Sequence, residues 1–163
     1  MHNVLFIDVR NASRSIMAEA ITNNLAIGKG RFRAFSAGSH PADELNRHAL
    51  EQIRYAGLTS FGLLTKNWNE FAVAGAPVMD FVFTVCDEPL LQAAPAWPGN
   101  PIVAIWSLAD PGSIIGNEAE IRRAYSRAFI YLYNRINIFA SLPLENLDRG
   151  GLQRRIDEFN QDN

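Results

Sequence analysis

Four short apolar runs recur along the chain, each followed by a stretch with helical spacing, and this alternation limits the fold more than any other feature. Val4-Leu5-Phe6-Ile7 is a continuous apolar run, the pattern of a strand covered on both faces of a parallel sheet. From about Arg14 to Ala26, residues Ile16, Met17, Ala20, Ile21 and Leu25 fall on one side of a helix that Gly28 and Gly30 end. Phe32 to Phe35 is a second strand, closed by Ser36-Ala37-Gly38. Asp43 to Ala56 reads as a helix stopping at Gly57, and a short helix fits Asn67 to Ala72. Asp80 to Val85 is a third strand, Pro89 to Ala94 a short helix, and Ile102 to Ile105 a fourth strand. Asn117 to Leu142 is one long helix, broken by Pro143. Such alternation predicts an α/β fold: a three-layer arrangement, with a four-stranded parallel sheet between helices on both faces. Residues 1–142 form the domain. Residues 143–163 form a polar C-terminal tail whose Leu144, Leu147, Leu152, Ile156 and Phe159 are expected to pack on the domain or on a second copy. Gly150-Gly151 interrupts that pattern.

Composition removes several classes of function. The 163 residues suffice for one core, and no apolar run reaches the roughly 18 residues of a membrane span. The start, Met1-His2-Asn3, lacks the basic region and small-residue cleavage site of a signal peptide, so a cytoplasmic location is expected. A net charge of -2 gives no electrostatic case for nucleic acid or an anionic membrane. There is one cysteine, Cys86, and His2, His40 and His48 show no metal-ligand spacing. Neither a metal nor a cofactor is expected.

The chemistry points to the segment after the first strand, Asp8-Val9-Arg10-Asn11-Ala12-Ser13-Arg14-Ser15. In open parallel sheets, ligands bind beyond the carboxyl ends of the strands. A loop of this length leading into a helix points main-chain N–H groups inward as an anion nest, and Arg14 adds a planar fork suited to an oxyanion. The alternative is a plain strand-to-helix connection with a surface arginine.

The run Val4 to Ala20, VLFIDVRNASRSIMAEA, resembles the opening of the low-molecular-weight tyrosine phosphatase and thioredoxin-coupled arsenate reductase superfamily. That signature is a Cys-x5-Arg-Ser loop, whose end Arg14 and Ser15 match, with Asn11 at an asparagine typical of the loop. Further likenesses follow in order. They are Ser36-Ala37-Gly38, Asn46-Arg47-His48-Ala49, Thr84-Val85-Cys86-Asp87, Trp97-Pro98-Gly99 and Trp106 to Pro111, the segment that carries the family's general acid. The resemblance implies a strand order of 2-1-3-4. It implies an anion loop of Val9, Arg10, Asn11, Ala12, Ser13 and Ser15 with Arg14 on the oxyanion, Asp110 as general-acid counterpart, and Glu19 and Ser36 bracing the loop.

The decisive departure is Asp8, which stands where the family has its nucleophilic cysteine. That chemistry needs a thiolate held ionised by the loop. A carboxylate is a poorer nucleophile, and like charges near 4 Å repel by about 4 kcal/mol per unit pair at an effective dielectric near 20. Arg10 replaces a small residue and is expected to crowd or strain the loop. The reductase relay is missing, since Cys86 matches one of its cysteines but the position seven residues on is Ala93. Cys86 therefore reads as a small buried hydrophobe. With Asp8 in the nucleophile's place, Asp110 reads first as the cap of a turn before Pro111.

The sequence thus favours a degenerate, inactive member, with Asp8 filling the nest, paired with Arg14, and its pKa below the usual carboxylate value near 3.9. Such a protein would act by binding a protein partner or a phosphate- or sulfate-like anion. The alternatives are a hydrolase using Asp8 or Asp110 with water, or a structural component of an oligomer such as a homodimer.

Overall fold

In the computed structural model, which describes residues 1–25 and 29–159, four strands form one parallel sheet. They are β1 (His2–Asp8), β2 (Phe32–Gly38), β3 (Phe81–Thr84) and β4 (Ile102–Ile105), in the order β2-β1-β3-β4 that the resemblance implied. Successive side chains of a strand point to opposite faces. Val4 and Phe6 accordingly join the larger core, with Phe83, Trp106 and Phe139, whereas Leu5, Ile7 and Val82 join a second core with Trp68, Phe71 and Met79. The larger core takes its helical residues from α1 (Arg14–Asn24), α2 (Arg47–Tyr55), α3 (Glu118–Ala140) and α4 (Arg149–Glu158). The other face is covered by short 3-10 turns at Trp68–Phe71 and Leu90–Gln92, shorter than the sequence pattern suggested. Trp68, Phe71 and Met79 are buried there, and a large apolar side chain contributes about 1.5–3 kcal/mol when fully buried.

Capping chemistry, more than periodicity, sets the helix ends. α2 starts at Arg47 and not at Asp43, because the Asn46 side chain accepts the N–H groups of His48 and Ala49 at 2.9 and 3.2 Å. α3 starts after Asn117, whose side chain accepts the Glu120 N–H at 2.9 Å, with Glu118 and Glu120 in the first turn favoured by the helix dipole. α1 ends at Asn24, with Leu25 extended; Ala26 and Gly28, placed at its end by spacing, lie outside the described residues.

The C-terminal segment is ordered into α4. Gly150 and Gly151 do not interrupt it but occupy its first turn, where the Asp148 side chain accepts the Gly151 N–H at 2.7 Å. Leu144, Leu152 and Ile156 are buried in the main core. Gln153 donates to the Val103 carbonyl at 3.1 Å, and Arg149 donates to the carbonyls of Asn100 and Pro101. α4 therefore covers the outer edge of β4, an edge that would otherwise invite pairing with another chain. Among the described residues, no helix is long and apolar enough to cross a membrane.

Candidate functional site

β1 delivers Asp8 to the carboxyl edge of the sheet, 2% exposed, and the next seven residues wrap around its carboxylate. One carboxylate oxygen accepts the Asn11 N–H at 2.6 Å and the other accepts the Ser15 N–H at 2.9 Å. Ser13, in the N-cap position of α1, makes no capping bond with its own side chain. Asp8 takes over that task from five residues upstream. The loop's carbonyls turn outward: those of Val9, Arg10 and Ala12 accept the N–H groups of His40, Ala42 and Asn46 at 2.8, 2.8 and 3.0 Å. The N–H groups of Arg10, Ala12, Ser13 and Arg14 have no acceptor among the described residues. The loop is thus a nest at a helix N-terminus, with a carboxylate of its own chain on part of its donors.

Asn11 makes this turn possible. Its φ of 47° is the left-handed conformation that asparagine tolerates better than most residues. Its side chain donates to the Ser15 hydroxyl at 2.8 Å and accepts the Lys66 N–H at 2.7 Å, tying the loop to the segment before Trp68. Lys66 also lies 3.6 Å from Glu19, which accepts a hydrogen bond from the Ser36 hydroxyl. Burial raises the Glu19 pKa, although Lys66 and Ser36 act against it. Glu19 and Ser36 thus meet the loop through Lys66 and Asn11. Gly38 closes the other side: a Cβ there would stand 2.6 Å from the Val9 carbonyl oxygen.

Three expectations are corrected here. Arg14 does not pair with Asp8; its guanidinium donates to the Leu108 carbonyl at 2.7 Å and lies 3.5 and 3.7 Å from Asp87 and Glu88. Asp87 and Glu88, after β3, stand within ion-pair distance of the guanidinium, whereas the Asp8 oxygens are held by main-chain donors. Second, the Asp8 pKa is raised, not lowered. Burial disfavours the charged form by more than the Ser15 and Asn11 N–H groups and the Arg14 charge favour it. Third, Arg10 neither crowds nor strains the loop; it is exposed, and the positive φ falls on Asn11.

The loop forms one wall of a cleft of about 460 Å³ lined by Asp8, Arg10, Ser13, Asn46, Arg47, Asp110 and Tyr125, among others. Asp110 caps its turn, accepting the Gly112 N–H at 2.8 Å, and still lines the same cleft as Asp8. Both of its readings therefore stand. Cys86 is fully buried; burial and the nearby Glu88 push its thiol up to about 12. Sequence reasoning missed Tyr125. Burial raises its hydroxyl pKa and the Asp110 charge raises it further, while the Ser13 and Asn46 side chains act against the shift. The signal was present: Tyr125 is four residues after Ile121 on the core stripe of α3, and a buried tyrosine needs a hydroxyl partner.

The fold is shared with solved structures of low identity. An arsenate reductase in a phosphate-binding state is 20% identical, with a TM-score of 0.68 over 86% of this chain and 98% of that one. An arsenate reductase from Archaeoglobus fulgidus is 24% identical, with a TM-score of 0.60 over 82% of this chain and 98% of that one. A low molecular weight protein tyrosine phosphatase from T. tengcongensis is 21% identical, with a TM-score of 0.65 over 84% and 96%. No curated protein sequence matches the chain. The family model for low molecular weight phosphotyrosine protein phosphatase matches residues 3–99, more than half of the chain, taking in the loop, all of β1 but its first residue, and α1, β2, α2 and β3. With its loop, strand order and helices in place, the chain belongs to the low molecular weight phosphotyrosine protein phosphatase family.

Proposed function

We propose that this protein is a catalytically silent phosphatase relative whose anion loop is occupied by its own Asp8, and that it acts by binding at the cleft. The observation that carries this reading is the pair of hydrogen bonds from Asn11 and Ser15 N–H to the two Asp8 oxygens. A phosphoryl group would have to sit where that carboxylate sits. Two further points support it. Arg14 is engaged by Leu108, Asp87 and Glu88. The thiol of Cys86 is buried and hard to ionise, so no thiolate replaces the missing nucleophile. The binding target is a protein partner or a small anion that reaches Arg10, Arg47 and the open N–H groups at the mouth of the cleft.

A second reading is a hydrolase in which Asp110 and Asp8, on one cleft, handle a water. Assays with aryl phosphates and with thioredoxin-coupled arsenate reduction separate the two. The silent reading requires no turnover above a mock purification. Turnover that disappears in Asp110→Asn or Asp8→Asn selects the hydrolase, and turnover that survives both leaves neither reading standing.

A further inference from the structure

On the far wall of the cleft from the loop, α2 and α3 bring together a charged cluster that the phosphate loop does not use. The His48 side chain is 9% exposed, and its Nδ1 is buried without a hydrogen-bond partner among the described residues, as is Glu51 Oε2. Nδ1 lies 3.7 Å from Glu51 and 3.8 Å from Glu118. Glu118 is shared: Arg47 reaches both its oxygens at 3.3 and 3.4 Å, and Arg122 stands 3.8 Å from it and 3.4 Å from Glu51. The imidazole also packs on the Tyr125 ring, with centroids 5.1 Å apart. The groups facing His48 are therefore Arg47 and Glu51 from α2, and Glu118, Arg122 and Tyr125 from α3. Two of them, Arg47 and Tyr125, line the cleft.

Two carboxylates balance two guanidiniums while His48 is neutral. A proton on the imidazole adds a third cation, placed within 4 Å of both carboxylates. Buried charges need close partners, and the nearest are Glu51 and Glu118. Arg47 is the most easily displaced competitor, because its side chain is 72% exposed and its hold on Glu118 is long.

We propose that His48 is a proton-operated latch: when protonated it claims Glu118, releases Arg47 to the mouth of the cleft, and so strengthens the cleft's attraction for anions. Histidine is the side chain suited to switching between about pH 5 and 8. The inference does not depend on whether the loop is catalytically silent.

The test is nuclear magnetic resonance of the full chain between about pH 5 and 8. It follows the His48 ring, the Arg47 Nε–Hε and the main-chain amides of Arg47 and Gly112. Sulfate serves as probe because its charge is constant over this range. The latch predicts that the Arg47 and cleft signals move with the same midpoint as the His48 ring, and that sulfate perturbs Arg47 several-fold more strongly at the acid end. In Glu118→Gln, an exposed position, the His48 ring still titrates but the Arg47 signal no longer follows, and the pH dependence of sulfate binding shrinks. Asp8 also faces the cleft, so Asp8→Asn is run in parallel; the Arg47 response persists there if it belongs to His48. A His48 ring that does not titrate in this range, or one that titrates while Arg47 stays still, overturns the proposal. So does an Arg47 response that vanishes in Asp8→Asn and persists in Glu118→Gln.

Discussion

The Asp8 carboxylate caps α1 through the Ser15 N–H at 2.9 Å, from a position seven residues earlier in the chain. Helix N-termini attract anions because their first N–H groups lack internal partners. In this fold the loop places that N-terminus at the carboxyl end of the central strand, where a bound oxyanion would serve. Here the Asp8 side chain accepts from that N-terminus and finishes the helix.

The loop depends on Asn11 as much as on Asp8. Asn11→Ala would force alanine into a left-handed conformation costing about 1–2 kcal/mol and remove the bonds to Ser15 and Lys66. Leaving the Lys66 N–H unsatisfied adds about 1–3 kcal/mol. The expected loss is about 2–5 kcal/mol in chemical denaturation. Asn11→Gly, which relieves the conformation but not the lost bonds, should lose less. Equal losses would show that the backbone conformation at Asn11 carries no cost.

Much of this was legible in the sequence, and the exceptions share a cause. The strand runs followed from apolar pattern, the loop from its place between a strand and a helix, and the order 2-1-3-4 from the resemblance that Arg14-Ser15 and the later motifs carry. Helix boundaries did not, because Asn46 and Asp148 override periodicity at single positions through their side-chain acceptors. The Asp8–Arg14 pairing was wrong because its competitors, Asp87, Glu88 and the Leu108 carbonyl, come from distant segments that only the folded sheet brings near. The sign of the Asp8 shift was wrong for a related reason. Donors can be inferred from a motif, whereas the depth of burial that outweighs them depends on the whole packing. The cluster around His48 joins two helices: the His48–Glu51 and Glu118–Arg122 pairs are local, but their meeting is set only by the packing of α2 on α3.

Cys86 should behave as an inert residue. Its thiol is buried and raised to about 12, so the reactive thiolate is scarce near neutral pH. Labelling with a chromogenic disulfide should be slow in the native protein and complete quickly in denaturant. Rapid labelling of the native protein would mean that the segment from Val85 to Glu88 opens far more often than its packing implies.

The raised pKa values of Asp8 and Glu19 set a pH dependence with a definite sign. A carboxyl whose folded pKa lies above its unfolded value binds its proton more tightly when folded. It contributes stability that is fully present below the unfolded pKa and is lost as pH rises through the folded one. Asp8→Asn and Glu19→Gln remove these groups one at a time. Urea unfolding across a pH series should show parent and variant stabilities converging, or crossing in the variant's favour, as pH rises through the folded pKa. A parent that gains stability relative to Asp8→Asn over that interval would mean that the N–H groups of Asn11 and Ser15 outweigh burial after all.

Asp8→Ala tests the occupied nest most directly. Removing the carboxylate leaves two donors without their acceptor, a cost of about 1–3 kcal/mol for a buried group. It also removes a charge whose burial is unfavourable, so the net loss at neutral pH should fall at the low end of that range. The vacated space then lies against the N–H groups of Asn11 and Ser15 and beside those of Arg10, Ala12, Ser13 and Arg14. An added anion can take the place of the lost side chain, and a ligand bound to the folded state alone stabilises by about 2.7 kcal/mol at 100 times its Kd. Thermal melts of parent and variant, with and without phosphate at constant ionic strength, read this out. Phosphate should raise the midpoint of Asp8→Ala and leave that of the parent nearly unchanged at neutral pH. In the parent, the carboxylate both occupies the donors and repels the dianion; in the variant neither obstacle remains. If phosphate stabilises the two proteins equally, the anion binds elsewhere on the cleft and the Asp8 side chain does not occupy the nest in its place.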